Sequence, residues 1–391
     1  MIEDSLYAYM SEKIKATPTK FNRYKYSQII WGDRLIGIIG PRGIGKTTIM
    51  LQYLIAHQHT GNHLYVAADN IYFGNHTILQ LADDFVKEGG TNLYIDEIHK
   101  YSGWSRELKQ IYDVHPDLHI VFTGSSILDI YKGKADLSRR VVMYEMQGMS
   151  FREYLALYQN VDVKVYTLEE ILAHKVKIKD IQHPLPLFRK YLKQGYYPFA
   201  MEGRFAIRME QVITQTIEND IPMYTDMKAI TAKKLKMMLS IISTLAPFKP
   251  NADNMAKEIG VSKNNISDYL IMLEKTGMIG QLRDNTGGMR GLGKVEKVYI
   301  DNPSLMYALS GDKPEIGNIR ETFFYNQMRV RNDVTSSKES DFKIDKYTFE
   351  IGGHKKRHKQ IENISNSFVV KDDIEVGHGD VIPLWQFGFN Y

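Results

Sequence analysis

The segment Gly40-Pro41-Arg42-Gly43-Ile44-Gly45-Lys46-Thr47-Thr48 constrains this chain more than any other. It fits G-x-x-x-x-G-K-[ST] through Gly40, Gly45, Lys46 and Thr47. Its flanks matter as much as the string. The apolar run LIGII (35–39) precedes it and the amphipathic stretch TTIMLQYLIAHQ (47–58) follows it. A strand, a glycine loop and a helix in that order make a phosphate cradle. Glycines admit positive φ and close backbone approach, so successive N–H groups can surround an anion. The helix N-terminus adds favourable partial charge. In such a loop Lys46 reaches the β- and γ-phosphates and the Thr47 hydroxyl binds Mg²⁺. All nine residues, Gly40 to Thr48, are therefore expected to line a nucleotide, with ATP and Mg²⁺ as ligands. The plainer reading, a strand–helix turn with a chance lysine, requires both flanks to be coincidence.

The surrounding pattern agrees. Apolar runs at 35–39, 63–68, 92–96, 119–124 and 141–146 alternate with helical stretches such as GWSRELKQIYDVH (103–115). Continuous rather than alternating runs suit strands buried on both faces of a parallel sheet. The expectation is a doubly wound α/β domain. Asp96 ends the run NLYID, where a carboxylate can hold Mg²⁺ through water, and Glu97 follows as a candidate general base for attack on the γ-phosphate. The run HLYVAA is expected to separate the loop strand from the Asp96 strand. Thr123, Ser125 and Ser126 end the next run, placed either to touch the γ-phosphate or its attacking water or to cap the following helix. Arg139 and Arg140 can stabilise phosphoryl charge, on the chain's own nucleotide or a neighbour's, or form a surface pair. Arg42 can face phosphate or solvent. His99 is read as capping or packing.

Bulk properties narrow the class. The net charge is only +4, too small to announce a nucleic-acid binder, and 43% of the 391 residues are hydrophobic. With no cysteine there are no disulfides, thiolate metal sites or cysteine nucleophiles. The N-terminus lacks a secretory apolar core and no apolar run approaches the ~18 residues that span a bilayer, so a cytoplasmic protein without membrane contact is expected.

Together GPRGIGKTT, LYIDEIH, FTGSS, SRR, GMSFREYL (148–155), GYYP (195–198) and KVYIDNPSLMYAL (297–309) resemble a family of bacterial and archaeal AAA-type ATPases. Its members join a P-loop ATPase domain to a winged helix and a restriction-endonuclease-like domain of uncharacterised function. The resemblance spans nearly the whole chain. It implies ATP and Mg²⁺ at Gly40–Thr48 and Asp96–Glu97, and no established cellular role.

The rest of the chain reads accordingly. Residues 150–235 carry helical periodicity. In ADNMAKEIGVSKNNISDYLIMLEKTG, Gly260 ends one helix and Ser262 caps the next. Ile266, Leu270 and Leu273 then face inward. Lys263, Asn264, Asn265 and Ser267 face outward, on the surface that enters a major groove in a helix-turn-helix. The loop 283–294 is a candidate wing whose Arg283, Arg290 and Lys294 can meet phosphate. Winged helices also serve as protein-contact modules, and this helix is polar rather than basic. Further on, Glu321, Asp341 and Glu350 resemble a restriction-endonuclease metal set. That set also needs a lysine two residues after the glutamate, where this chain has Gly352. The tract HKKRHK (354–359) is either a phosphate-binding cluster or a solvated loop.

The expected fold class is α/β: an AAA-like P-loop NTPase with a parallel sheet (1–150), a helical lid (151–235), a winged helix (236–310) and a small restriction-endonuclease-like α/β domain (311–391). The expected function is Mg²⁺-dependent ATP hydrolysis driving a switch or motor on nucleic acid. DNA would be held through Lys263, Asn264, Asn265 and Arg290. The alternatives are a signalling or scaffold ATPase that holds a protein partner, and an ATP-gated nuclease. A homo-oligomer is compatible with each.

Overall fold

The computed structural model describes residues 2–124, 137, 139–222, 229–285, 293–311, 314–356 and 360–391. The chain forms two compact units, Met1–Gln147 with Glu218–Met227, and Gly148–Ile217 with Lys228–Tyr391. The segments expected as lid, winged helix and C-terminal piece thus fall in the second unit, except for Glu218–Met227.

Among the described residues, the first unit is built on five parallel strands: β1 (Leu35–Ile39), β2 (His63–Ala67), β3 (Asn92–Asp96), β4 (His119–Gly124) and β5 (Val142–Glu145). Their spatial order is β2-β3-β4-β1-β5. All five residues of β1 are buried, as a continuous apolar run in a sheet covered on both faces should be. One expectation needs correction. HLYVAA does come between the loop strand and the Asp96 strand along the chain, but in space it forms the sheet edge. The strand inserted between β1 and β3 is β4, which pairs with both. Order along a chain does not fix order across a sheet when helical crossovers join the strands.

Helices α1 (Asp4–Ala16), α2 (Lys46–His57), α3 (Ile78–Lys87) and α4 (Trp104–Val114) accompany this sheet. The sequence reading did not pick out α1 and α3. In α3, Thr77 and Gln80 form a reciprocal capping box, and Ile78, Leu81, Ala82 and Phe85 are buried along one face. They join Leu64, Leu93, Ile95, Leu108 and Phe122 in one apolar core.

The second unit contains α5 (Phe151–Gln159), α6 (Leu168–Leu172), α7 (Leu185–Lys190) and α8 (Phe205–Gln215). Then come α9 (Ala229–Leu245), α10 (Ala252–Ile259) and α11 (Lys263–Lys275), followed by an antiparallel hairpin of β6 (Ile279–Arg283) and β7 (Val295–Ile300). Helices α12 (Pro303–Ser310) and α13 (Ile316–Met328) lead to β8 (Val334–Ser336), β9 (Phe342–Ile344), β10 (Tyr347–Gly352), β11 (Ser367–Lys371) and β12 (Val381–Pro383). These last five make a mixed sheet in the order β12-β11-β10-β9-β8.

The motifs GMSFREYL, GYYP and KVYIDNPSLMYAL serve packing and helix capping in the second unit. In GMSFREYL, Ser150 and Glu153 form a capping box at the start of α5, and the Phe151 ring meets Phe188, Tyr191 and Phe389. In GYYP, Tyr196 and Tyr197 are buried. In KVYIDNPSLMYAL, Asn302 caps α12 by accepting from the Leu305 N–H at 2.9 Å, and Asp301 pairs with Arg329.

Candidate active site

The loop between β1 and α2 adopts the backbone its glycines promise. Gly40, Gly43 and Gly45 have φ of 152°, 81° and 96°. At Gly40 the requirement is doubled, because a Cβ there would sit 2.2 Å from the Met146 carbonyl oxygen. The loop is braced from behind by Arg23, which is buried and donates to the carbonyls of Ile44 and Gln147, the latter at 2.8 Å. Nothing in the local pattern around Arg23 announced that role.

Lys46 is buried, and its Nζ donates to the carbonyls of Gly40 (3.0 Å) and Pro41 (2.7 Å). The ammonium is thereby folded onto the mouth of its own loop. Burial lowers its pKa to about 8, opposed by the negative charges of Glu97 and Asp96. A phosphate anion restores the charged form, so binding takes up a proton wherever free Lys46 has lost one. ATP affinity is therefore expected to be flat below pH 8. It should fall by up to about tenfold per unit above that, until the bound-state pKa is reached. Nucleotide titrations from pH 7 to 9.5 check this slope, which Lys46→Met should lack.

The second half of the site hangs on Asp96, at the C-terminal end of β3. Its carboxylate accepts from Thr47 (3.0 Å to each oxygen), from Tyr65 (3.0 Å) and from Thr123. Three hydroxyls from three elements thus fix its orientation. Burial pushes its pKa up, against the pull of the Thr123 hydrogen bond. Thr47 and Asp96 are both hard oxygen donors, held side by side next to the loop, and they fit Mg²⁺.

Glu97 follows in the left-handed region, with φ 51° and ψ 40°. A side chain there is unusual and marks a position fixed by its surroundings. Its Oε2 lies 3.9 Å from Arg42, 3.5 Å from His99 and 3.7 Å from Lys100. His99 is fully enclosed, and burial drives its pKa down to about 3, so the ring is neutral at pH 7. The packing expectation for His99 is met, but it packs against the candidate base.

Thr123 lies at the C-terminal end of β4. It is buried, its hydroxyl donates to Asp96, and it accepts from the Glu97 N–H at 3.0 Å. Its single proton is committed, so it orients the Asp96–Glu97 pair from β4. Ser125 and Ser126 lie outside the described residues.

Arg42 turns to two carboxylates, Asp220 and Glu97. Its Nη1 donates to both oxygens of Asp220, at 3.0 and 2.9 Å. Asp220 is buried in this unit and comes from 178 residues further along the chain. Sequence reasoning missed it, since an isolated aspartate in a helical stretch carries no local signal.

Arg139 and Arg140 lie just before β5, hence at the N-terminal edge of the parallel sheet. The phosphate loop leaves the C-terminal edge of the neighbouring β1. A strand of four residues at about 3.3 Å each separates the two edges by roughly 13 Å. Arg140 moreover pairs with Asp113 at 2.8 Å, and Arg139 is exposed. Action on the chain's own nucleotide is therefore not what this arrangement offers, which corrects that half of the expectation.

In the second unit, α11 buries Ile266, Leu270 and Leu273 and exposes Lys263, Asn264, Asn265 and Ser267, as anticipated. Gly260 has φ 70° and ends α10, and Ser262 stands at the start of α11 but hydrogen-bonds Asn265 instead of the backbone. Two of the cations expected to meet phosphate are already paired: Lys263 with Asp253 (2.9 Å) and Arg283 with Glu274 (2.7 Å). Arg290 lies outside the described residues.

The three C-terminal acids sit on α13 (Glu321), just ahead of β9 (Asp341) and on β10 (Glu350). Their cations are lysines. Lys297 of β7 lies 3.1 Å from Glu321 and 3.6 Å from Asp341. Lys356 lies over Gly352, so that a Cβ there would come within 2.6 Å of its Cβ and Cγ, and its ammonium reaches Glu350. The lysine missing from the strand is thus supplied from the turn after it, a correction to the reading of 354–359. Of that tract, 357–359 lie outside the described residues. Among the described residues, no group of three or more His, Cys, Asp or Glu is placed to hold a metal ion. With Lys297 between Glu321 and Asp341, the set as folded fits a network of ion pairs and not a metal cage.

A strand, a glycine loop and a helix, with a carboxylate at the end of a further parallel strand, define a candidate phosphate-binding site. Residues 32–155 match the AAA domain family (AAA_14), and residues 185–315 match a domain of unknown function (DUF8612). Among curated proteins, the chain is 25% identical over 307 residues to the uncharacterized protein MJ1637 of Methanocaldococcus jannaschii, covering 69% of this chain and 64% of that one. It thus spans less than two thirds of that relative's length. Among solved structures, it is similar to the Walker-type ATPase paby2304 of Pyrococcus abyssi, with TM-score 0.45 and 11% identity over 76% of this chain and 99% of the other. AMPPCP-bound DnaA from Aquifex aeolicus overlays with TM-score 0.27 and 12% identity, over 70% and 90% of the two chains. Among the described residues, no helix is long and apolar enough to cross a membrane.

Proposed function

We propose that this protein hydrolyses ATP with Mg²⁺ and uses the cycle as a conformational switch. The observation that carries the reading is the set of contacts joining Thr47, Asp96, Thr123 and Glu97, with Lys46 at the loop mouth. Backbone N–H groups of Gly40–Thr48 and the Lys46 ammonium bind the phosphates. Thr47 and Asp96 would hold Mg²⁺, which when bound would neutralise phosphate charge. Glu97 takes the proton of the attacking water, and Thr123 holds Asp96 and the Glu97 backbone in register. Arg139, exposed at the opposite sheet edge, is suited to act on a neighbouring subunit's nucleotide in a homo-oligomer.

The output acts through a four-part chain: ATPase core, helical lid, winged helix, and a C-terminal unit with a restriction-endonuclease-like outline. Two targets are in play. The helix-helix-hairpin order of α10, α11, β6 and β7 suits a nucleic-acid module, with Asn264, Asn265 and Lys294 exposed. The pairing of Lys263 with Asp253 and of Arg283 with Glu274 favours a protein partner, because neutralised cations release few counterions from a phosphate backbone. A nuclease role is the least supported, with Glu321 and Asp341 already holding Lys297.

Turnover and DNA mobility shifts at 50 and 200 mM salt separate these targets. A nucleic-acid switch shows a salt-dependent shift and DNA-stimulated turnover. A scaffold ATPase shows neither, and retains a protein partner at high salt. Plasmid cleavage that requires Mg²⁺ or Mn²⁺ and is lost in Glu350→Gln would restore the nuclease.

A further inference from the structure

The nucleotide unit is not closed by the segment that matches the AAA domain. Residues 218–222 belong to the same unit, and within them Asp220 is buried to 2% exposure. Both of its carboxylate oxygens are taken by one terminal nitrogen of Arg42, the third residue of the phosphate loop. That same nitrogen lies 3.9 Å from Glu97 Oε2. The arginine is therefore anchored at one end of its fork, between a buried aspartate and the candidate base. The three N–H donors on Nη2 and Nε are not the ones that bind Asp220. A guanidinium beside the base lies where terminal-phosphate charge is handled. A rigid planar fork held by one end presents its other donors in a fixed direction, which a free arginine does not.

We propose that Asp220 is a positioning residue that acts through Arg42 to read the terminal phosphate, so that preference for ATP over ADP depends on a residue outside the AAA-matching segment. The inference rests on the ATP-binding reading above. Asp220 touches no substrate. It fixes the loop arginine, and the arginine meets the γ-phosphate. A residue that merely braced the fold would weaken ATP and ADP alike. A residue that orients Arg42 weakens ATP selectively. Because the bond joins the loop to residues 218–222, it also couples nucleotide contact to the stretch of chain that leads, through Ile217, out of this unit.

The test is equilibrium binding of ATP and ADP to the full-length protein, with Mg²⁺. It compares wild type with Arg42→Ala, Asp220→Asn, Asp220→Glu and Arg42→Ala/Asp220→Asn, each checked for folding by thermal melting. Asp220→Asn is nearly isosteric and keeps the fold testable. The expected result is a loss of ATP affinity of about tenfold in Arg42→Ala and in Asp220→Asn, with ADP affinity within about twofold of wild type. The double variant should be no worse than Arg42→Ala, and Asp220→Glu should recover part of the loss. Equal losses for ATP and ADP, additive losses in the double variant, or tighter ATP binding by Asp220→Asn overturn the assignment. If the wild type binds ATP and Asp220→Asn is indistinguishable from it, Asp220 alone is dismissed. If the wild type binds neither nucleotide, the ATP reading falls and takes this one with it.

Discussion

Glu97→Gln is expected to cut ATP turnover by roughly 10²–10⁴-fold, the range for losing a positioned general base, while ATP affinity stays within about threefold of wild type. Glutamine keeps the shape and the hydrogen-bonding reach of the side chain but cannot accept the proton of the attacking water. Its backbone N–H still donates to Thr123, so the left-handed turn after β3 and the orientation of Asp96 are preserved. Three basic side chains surround the carboxylate, and His99 among them is neutral, so the charge lost is balanced against Arg42 and Lys100. Single-turnover phosphate release beside fluorescent-nucleotide binding separates the two effects. If turnover survives within about threefold, the base lies elsewhere.

Lys46→Ala is expected to act on binding instead. The side chain is buried and its ammonium is held by two loop carbonyls, so it stands preformed at the phosphate site. Truncating one side of a buried charge-assisted contact costs about 2–5 kcal/mol. At about 1.4 kcal/mol per tenfold, ATP affinity should fall by roughly 30- to 4,000-fold, with ADP weakened less because the lysine spans the β- and γ-phosphates. The same variant should lose the alkaline fall in affinity that titration of Lys46 produces. Calorimetric titration of both nucleotides checks the size of the loss and its ATP bias. An affinity loss below about threefold would remove Lys46 from the phosphate site.

What could be read from the sequence follows the range of the forces involved. The loop, β1, α2, Asp96 and Glu97 were legible because each rests on local chemistry: glycine φ, apolar runs, and acids at a strand end. The inward face of α11 and the end of α10 at Gly260 were legible for the same reason. Illegible features depend on contacts between distant residues. The position of β4 between β1 and β3 is a matter of crossover connections, which leave no mark in any one strand. Arg23 braces the loop from a segment ahead of β1, and Tyr65 reaches Asp96 from the adjacent strand; both contacts join residues far apart in the chain. Asp220 reaches Arg42 only because residues 218–222 return to the first unit. Gly352 looked like a lost lysine because strand periodicity counts only i and i+2, whereas Lys356 reaches Glu350 by folding back across a turn. For Arg139 and Arg140 the residue types left phosphate contact and a surface pair both open, and strand direction puts them at the sheet edge opposite the loop.

The measurement that bears most directly on the central claim is phosphate release from ATP by the full-length protein, with Mg²⁺ present and after its chelation. Steady release that stops on chelation and falls at least about a hundredfold in Glu97→Gln is the predicted result. No release above background from a folded wild-type protein, or release indifferent to both Mg²⁺ and Glu97, would contradict it.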